Sequence, residues 1–270
     1  MKKSILFVLF LLGTLSMEAQ CTRTNTAFSA GESLNYDLYF NWQFVWVKAG
    51  SAHYKITSAR YHDEPSLRTD LLFVGSKRLN RMFPMKDTLV SYMTPQLVPQ
   101  YFRKGATEGK NYTVDEVWYS YPDGKSNVRQ KFLNRHGEWS ETKHASDECN
   151  YDMLSILNVA RSFDASRFQK GHRIHFPMAT GKRVEEQTLV FKGKEKFKAN
   201  DGVTYQTLVF TLLDYEVKNK DKELLRFYIT DDANHLPVRI DFFLRFGIAK
   251  AYYASGTGLR NPQTSILKRK

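Results

Sequence analysis

Leu34-Asn35-Tyr36-Asp37-Leu38-Tyr39-Phe40-Asn41-Trp42 is the stretch that decides the fold. Its apolar side chains at 34, 36, 38, 40 and 42 fall on every second position, with Asn35, Asp37 and Asn41 between them. Successive side chains of an extended chain point to opposite faces, so this spacing belongs to a half-buried strand. A helix would instead place its apolar residues three and four apart.

Further strand signals follow along the chain after that stretch. Val114 to Tyr121 and Ser126 to Leu133 flank Pro122-Asp123-Gly124-Lys125, whose residues suit a tight turn between two strands. Gln187 to Ala199 and Val203 to Leu213 flank Asn200-Asp201-Gly202 in the same way. Leu225, Phe227 and Ile229 alternate, as do Val238, Ile240, Phe242, Leu244 and Phe246. Gly247 breaks that run, and Ile248 to Ala254 returns as a last strand. One helix interrupts the series: Asp152 caps it, and Met153, Ile156, Leu157 and Ala160 form an apolar face at helical spacing, with Arg161 near the C-terminal end. Frequent strands joined by short turns predict a mainly β fold, an antiparallel meander sheet curled into an open or closed barrel. The single central helix is expected to pack on or inside it.

The first residues set the expected compartment. Lys2 and Lys3 precede an apolar run from Ile5 to Leu12, followed by small and polar residues to Gln20. This is the order of a secretory signal peptide, and the run is too short for a membrane-spanning helix. The expected division is a signal peptide over 1–19 and one β-barrel-like domain over 20–270, without a transmembrane segment in the mature chain. The formal net charge of +12 favours anionic partners. An exported location makes nucleic acid an unsuitable one. The alternating Lys192, Lys194, Lys196 and Lys198 read as a solvated strand face.

Cys21 and Cys149 are the two cysteines. In an oxidising compartment they suit a disulfide. Cys21 also stands where a lipoprotein would carry its anchor, although Gln20 before it is not the small residue such a signal wants. Bridged, lipidated and free cysteines all stay open, and with them a periplasmic or an outer-membrane-associated location.

Signatures of catalysis are missing: there is no Gly-x-Ser-x-Gly elbow, no phosphate loop and no dinucleotide fingerprint. Asp231, Asp232 and His235 are the candidate acid–base residues, and the competing reading of Asp231 to Pro237 is a turn. His172 and His175, three apart in a strand-like context, would face opposite ways, so no metal site is expected. His144, Ser146 and Asp147 read as a polar loop leading into Cys149. No cofactor is expected. Aromatic rings, Trp118 and Trp139 among them, fit cross-strand pairs, and rings also hold sugars or acyl chains. Trp42, Phe44, Trp46, Phe83 and Met85 are the candidate lining of an apolar ligand cavity. Asp87-Thr88-Leu89 matches a short O-glycosylation sequon of exported Bacteroidota proteins.

Three blocks carry a family resemblance. Phe28-Ser29-Ala30-Gly31-Glu32-Ser33-Leu34-Asn35-Tyr36, Tyr151-Asp152-Met153-Leu154-Ser155 with Arg161, and Thr230-Asp231-Asp232-Ala233-Asn234-His235-Leu236-Pro237-Val238 resemble the domain-of-unknown-function family numbered 3108. The resemblance implies an exported protein with an antiparallel barrel-like sheet, similar to a capsule-operon lipoprotein of the YmcC-like type, and it implies no activity. Each block also reads as a folding device: a strand start, a helix cap and a turn exit. The leading reading is a non-catalytic envelope module that binds a lipid, an anionic glycan or an envelope protein. The alternative is a hydrolase acting on envelope polymer.

Overall fold

The computed structural model describes residues 21–42, 45–82, 84–200, 202–213, 222–244 and 247–268. The alternation that opens the sequence is realised as β1 (Ser33–Trp42), in which Leu34, Tyr36 and Leu38 are buried and the residues between them only half-buried. From β1 the chain meanders through β2 (Val45–Tyr61), β3 (Glu64–Gly75), β4 (Met85–Met93), β5 (Pro99–Glu108), β6 (Asn111–Ser120), β7 (Ser126–Leu133) and β8 (Trp139–Ser146). A short helix, α1 (Lys77–Met82), joins β3 to β4. A second helix, α2 (Met153–Arg161), follows β8. A second meander then runs through β9 (Arg173–Ala179), β10 (Val184–Lys198), β11 (Thr204–Leu213), β12 (Glu223–Thr230), β13 (Pro237–Leu244) and β14 (Gly247–Thr257), and β15 (Ile266–Lys268) pairs with β11.

β14 returns to the start of the chain and pairs antiparallel with β1, Leu38 standing opposite Ala251. The two meanders are therefore one sheet, in the order β8-β7-β6-β5-β4-β3-β2-β1-β14-β13-β12-β11-β10-β9. Its edges are β8 and β9, and among the described residues no ladder joins them. The curl brings them together by other means. Thr142 Oγ1 in β8 donates to the Lys182 carbonyl at 2.8 Å, and the Gly181 N–H donates to Gln130 Oε1 in β7 at 3.0 Å. Tyr151 adds an isolated parallel bridge to Met178 of β9. α2 is the connection between the two edges, and it fills the concave side.

Two glycines serve this curl. A Cβ on Gly50 would stand 2.2 Å from the Val74 carbonyl oxygen, so only glycine lets β2 and β3 approach there. Gly31 holds φ at +102°, outside the reach of ordinary side chains, and turns the chain so that Glu32 points inward ahead of β1. Cys21 and Cys149 are bonded, with Cα atoms 5.3 Å apart across 128 residues of sequence. The bridge ties the segment before β1 to the start of α2.

Three expectations change. His144 and Ser146 are not in a loop: they belong to β8 and pair with Val128 and Ser126, because β7 extends a template to that point. His175 lies in β9 with its ring nitrogen 3.0 Å from Thr188 Oγ1, while His172 stacks on Phe168 before the strand. The helix is where the sequence puts it, but its orientation is reversed. Leu154, Ser155, Asn158, Val159 and Arg161 are buried, whereas Met153, Ile156, Leu157 and Ala160 are not fully covered.

Candidate functional site

The reversal of α2 defines the site. On a helix of 3.6 residues per turn, 153, 156, 157 and 160 share one face and 154, 155, 158 and 161 the other. The first face is thus the less deeply buried one, although its Ile156 and Leu157 still pack on the core, and the face carrying Leu154, Ser155, Asn158 and Arg161 is fully covered. A buried polar group costs free energy unless it is hydrogen-bonded, and each of these is. Asp152 caps the helix, its Oδ1 accepting from the Leu154 and Ser155 N–H groups, while Ser155 Oγ receives the Asp152 N–H in return. The other oxygen of Asp152 accepts from Ser91 Oγ and Tyr119 O–H at 3.3 and 3.2 Å. Asn158 donates to Thr69 Oγ1 at 2.8 Å and accepts from the Tyr54 hydroxyl.

Arg161 is 2% exposed and Glu32 is fully buried. They form a bidentate pair at 2.5 and 2.9 Å, and the same guanidinium donates to the Asn234 carbonyl at 3.1 Å. Phe28 lies under the guanidinium at 5.1 Å. The carboxylate partner, set against burial, holds the Arg161 pKa well above its ordinary range. The contact is reciprocal, since His235 Nδ1–H donates to the Arg161 carbonyl at 2.6 Å and so caps the helix end. All three sequence blocks that carry the family resemblance therefore meet on α2.

Leu157, on the apolar face of α2, looks onto a cavity of about 50 Å³. Leu157 and Arg161 form its roof, and Tyr36, Tyr54, Phe73 and Phe242 are among its walls. Leu71, Phe73, Ile240 and Phe242 in the walls are only half-buried, so the space opens toward solvent. The period of β13 carries the apolar wall onward, from Ile240 and Phe242 to Leu244, which is 42% exposed. The neighbouring wall is polar. Asp87 pairs across strands with Phe73 and Ala106 and shares their inner face; Lys104 and Asp115 share that of Leu89. Asp87 Oδ1 is buried without a hydrogen-bond partner. Burial raises the Asp87 and Asp115 carboxyls above their ordinary range, with Lys104 opposing the shift. The interior below α2 is thus amphipathic.

The candidate acid–base residues are not gathered into one centre. Asp231 binds Lys194 Nζ at 2.7 Å on the surface. Asp232 is buried and accepts from Thr230 Oγ1, the Asn234 N–H and Ser265 Oγ. His235 faces the helix end. All three hold the turn before β13 in place. No group of three or more metal-binding side chains occurs among the described residues.

Of the candidate cavity residues, Trp42 ends β1 opposite Val45. Trp46 is 39% exposed, with Lys250 Nζ 4.1 Å from its ring centre. Met85 is half-buried at the start of β4. Phe44 and Phe83 lie outside the described residues. Neither Trp46 nor Met85 is among the described residues that line the cavity, which strand register brings together. Trp118 stands in an outward row with Tyr92 and Tyr101, ended by Arg68 and Arg129, one residue from each of β3 to β7. Its rings pack on one another and under Arg129, as cross-strand pairs do. Thr88 of the sequon is half-buried in β4, between β3 and β5.

Residues 35–253 match the family described as "Protein of unknown function (DUF3108)". The chain belongs to this family. The DUF3108 fold seen here is similar to a solved β-barrel-like protein of the DUF1849 domain from Brucella abortus, with a TM-score of 0.56 and 12% sequence identity. That likeness covers 89% of this chain and 100% of the other, and at such identity it speaks for the fold alone. No curated protein matches the chain.

Proposed function

We propose that this DUF3108 protein is an exported, non-catalytic envelope protein that binds the apolar part of an amphiphilic lipid beneath α2. One observation carries the reading: α2 sinks Ser155, Asn158 and Arg161 into the core, and Leu157 from its other face stands with Arg161 over an open, mainly apolar cavity. Folding alone gives little reason to bury the Arg161–Glu32 ion pair beside it, because well-packed apolar side chains would serve at least as well there. A cavity of about 50 Å³ is far below the ~300–1,000 Å³ of a whole small-molecule site. It suits the end of an acyl chain, with the remainder running along the inner face of β13 toward Leu244. The polar wall at Asp87, Lys104 and Asp115 accounts for an amphiphile rather than a plain hydrocarbon. The Cys21 sulfur is engaged with Cys149, which argues for a periplasmic protein without lipid on that residue.

A fluorescent polyene fatty acid titrated into the purified protein tests this reading. Saturable binding is expected in the wild type, and Leu157→Glu, which sets a charge in the roof, is expected to weaken it at least tenfold. The absence of saturable binding to the wild type overturns the proposal. A periplasmic fraction containing a chain that starts at Gln20 is the expected result for export, and a cytosolic chain retaining residues 1–19 refutes it.

A further inference from the structure

Eight large hydrophobic side chains are exposed among the described residues, and six of them lie at one end of the sheet, three of these consecutive at the start of β2. Val45, Trp46 and Val47 begin β2, Leu244 ends β13, Tyr112 lies at the start of β6 and Trp139 at the start of β8. In an antiparallel meander these are strand ends of one side, where β1 turns into β2, β5 into β6, β7 into β8 and β13 into β14. Val45 and Val47 in β2 and Leu244 in β13 lie at the same end, with β1 and β14 between them. Exposed apolar residues scattered singly need no explanation, but a gathered set marks a contact surface.

Charge identifies the partner. α1 sits at the same end and contains Lys77, Arg78 and Arg81, all exposed, with no acidic residue in the helix. It is held beside the β2 hairpin: the Ser76 N–H donates to the Ala49 carbonyl at 2.7 Å, and Asn80 bonds both Gly75 and Met85. Lys48, Lys86, Lys110 and Lys250 lie at this end too. Lys48 pairs with Asp37, and Glu108 and Glu138 are the exposed acids of this end, so the cationic excess is concentrated on α1 beside Val45, Trp46 and Val47, the composition of a surface that enters the headgroup layer of an anionic bilayer.

We infer that this end of the sheet docks on a membrane rich in anionic phospholipid. The inference extends the reading of the interior as a lipid site, since the apolar wall of β13 ends at the same rim, and the two fail separately. Flotation of the full chain, purified from its own cells, with vesicles of phosphatidylcholine alone or mixed with phosphatidylglycerol tests it. The wild type is expected to float with the mixed vesicles and to be released by salt. The K77Q/R78Q/R81Q variant is expected to bind them roughly a hundredfold more weakly, at about one tenfold step per 1.4 kcal/mol. The V45S/V47S variant is expected to lose roughly tenfold. Both variants should bind the fluorescent fatty acid as the wild type does. A wild type that stays unbound, variants that float equally well, or equal binding to both vesicle types overturns the inference. So does a dimer that V45S/V47S converts to monomer, which would give the surface to a second copy.

Discussion

Burying a guanidinium costs several kcal/mol unless a carboxylate and further acceptors meet it, and Arg161 has Glu32 and the Asn234 carbonyl. The pair joins the segment before β1, the end of α2 and the turn before β13. Removing one partner strands the other charge in the core. Arg161→Met or Glu32→Leu should therefore lower the unfolding free energy by roughly 3–5 kcal/mol, read by urea denaturation. The double variant E32L/R161M should lose clearly less than the sum of the single changes, and additive losses would show that the two side chains do not act as a pair. Asp87 behaves in the opposite sense. Its carboxyl is raised in the folded chain by burial, so its protonated form is favoured there. The stability linked to this group is present below the ordinary carboxylate range and is lost as pH rises through the raised value. Asp87→Asn, which removes the charge without changing shape, should raise the melting temperature near neutral pH and leave it unchanged at about pH 3. An equal effect at both pH values would refute the electrostatic account.

Elements show which physical signals survive in a sequence. Strands such as β1 and β7 announce themselves because period-two alternation follows from one wet and one dry face. The cap at Asp152 is equally legible, since a capping box is local chemistry. The orientation of α2 is not. Its apolar face has the higher hydrophobicity, and only the partners Glu32, Thr69 and Tyr54, brought from distant strands, explain why the polar face goes inward. The cavity shares this fate: Leu71, Phe73 and Ile240 become neighbours through register, while Trp46, a conspicuous residue, ends on the surface. Asp87 gives a signal that strand phase could have revealed, because it shares the period of the buried Leu89. The link from the N-terminal segment to α2 is the element most exposed to test. Closing 128 residues of chain with Cys21–Cys149 should stabilise the fold by ~4–5 kcal/mol on the chain-entropy account. The C21S/C149S variant should lose that amount in urea, and a loss under about 1 kcal/mol would show that the open chain is already constrained.

At the scale of the whole molecule, two meanders depend on one seam and one helix. β1 is flanked on both sides, by β2 and β14, and buries Leu34, Tyr36 and Leu38. α2 draws its hydrogen bonds from Glu32 and Thr69 in the first meander's region and from Asn234 in the second's. Neither meander keeps a complete core without the other, so thermal or urea unfolding should be a single transition, coincident by circular dichroism and tryptophan fluorescence. β8 is the exception, because it pairs with β7 alone and exposes nearly every side chain. Amide hydrogen exchange should therefore rank the strands: β8 should open at low free energy, and β1, β2 and β14 only with global unfolding. Two resolved transitions, or protection in β8 equal to that in β1, would mean that the seam does not join the meanders into one cooperative unit, and the shared interior on which the binding site depends would lose its basis.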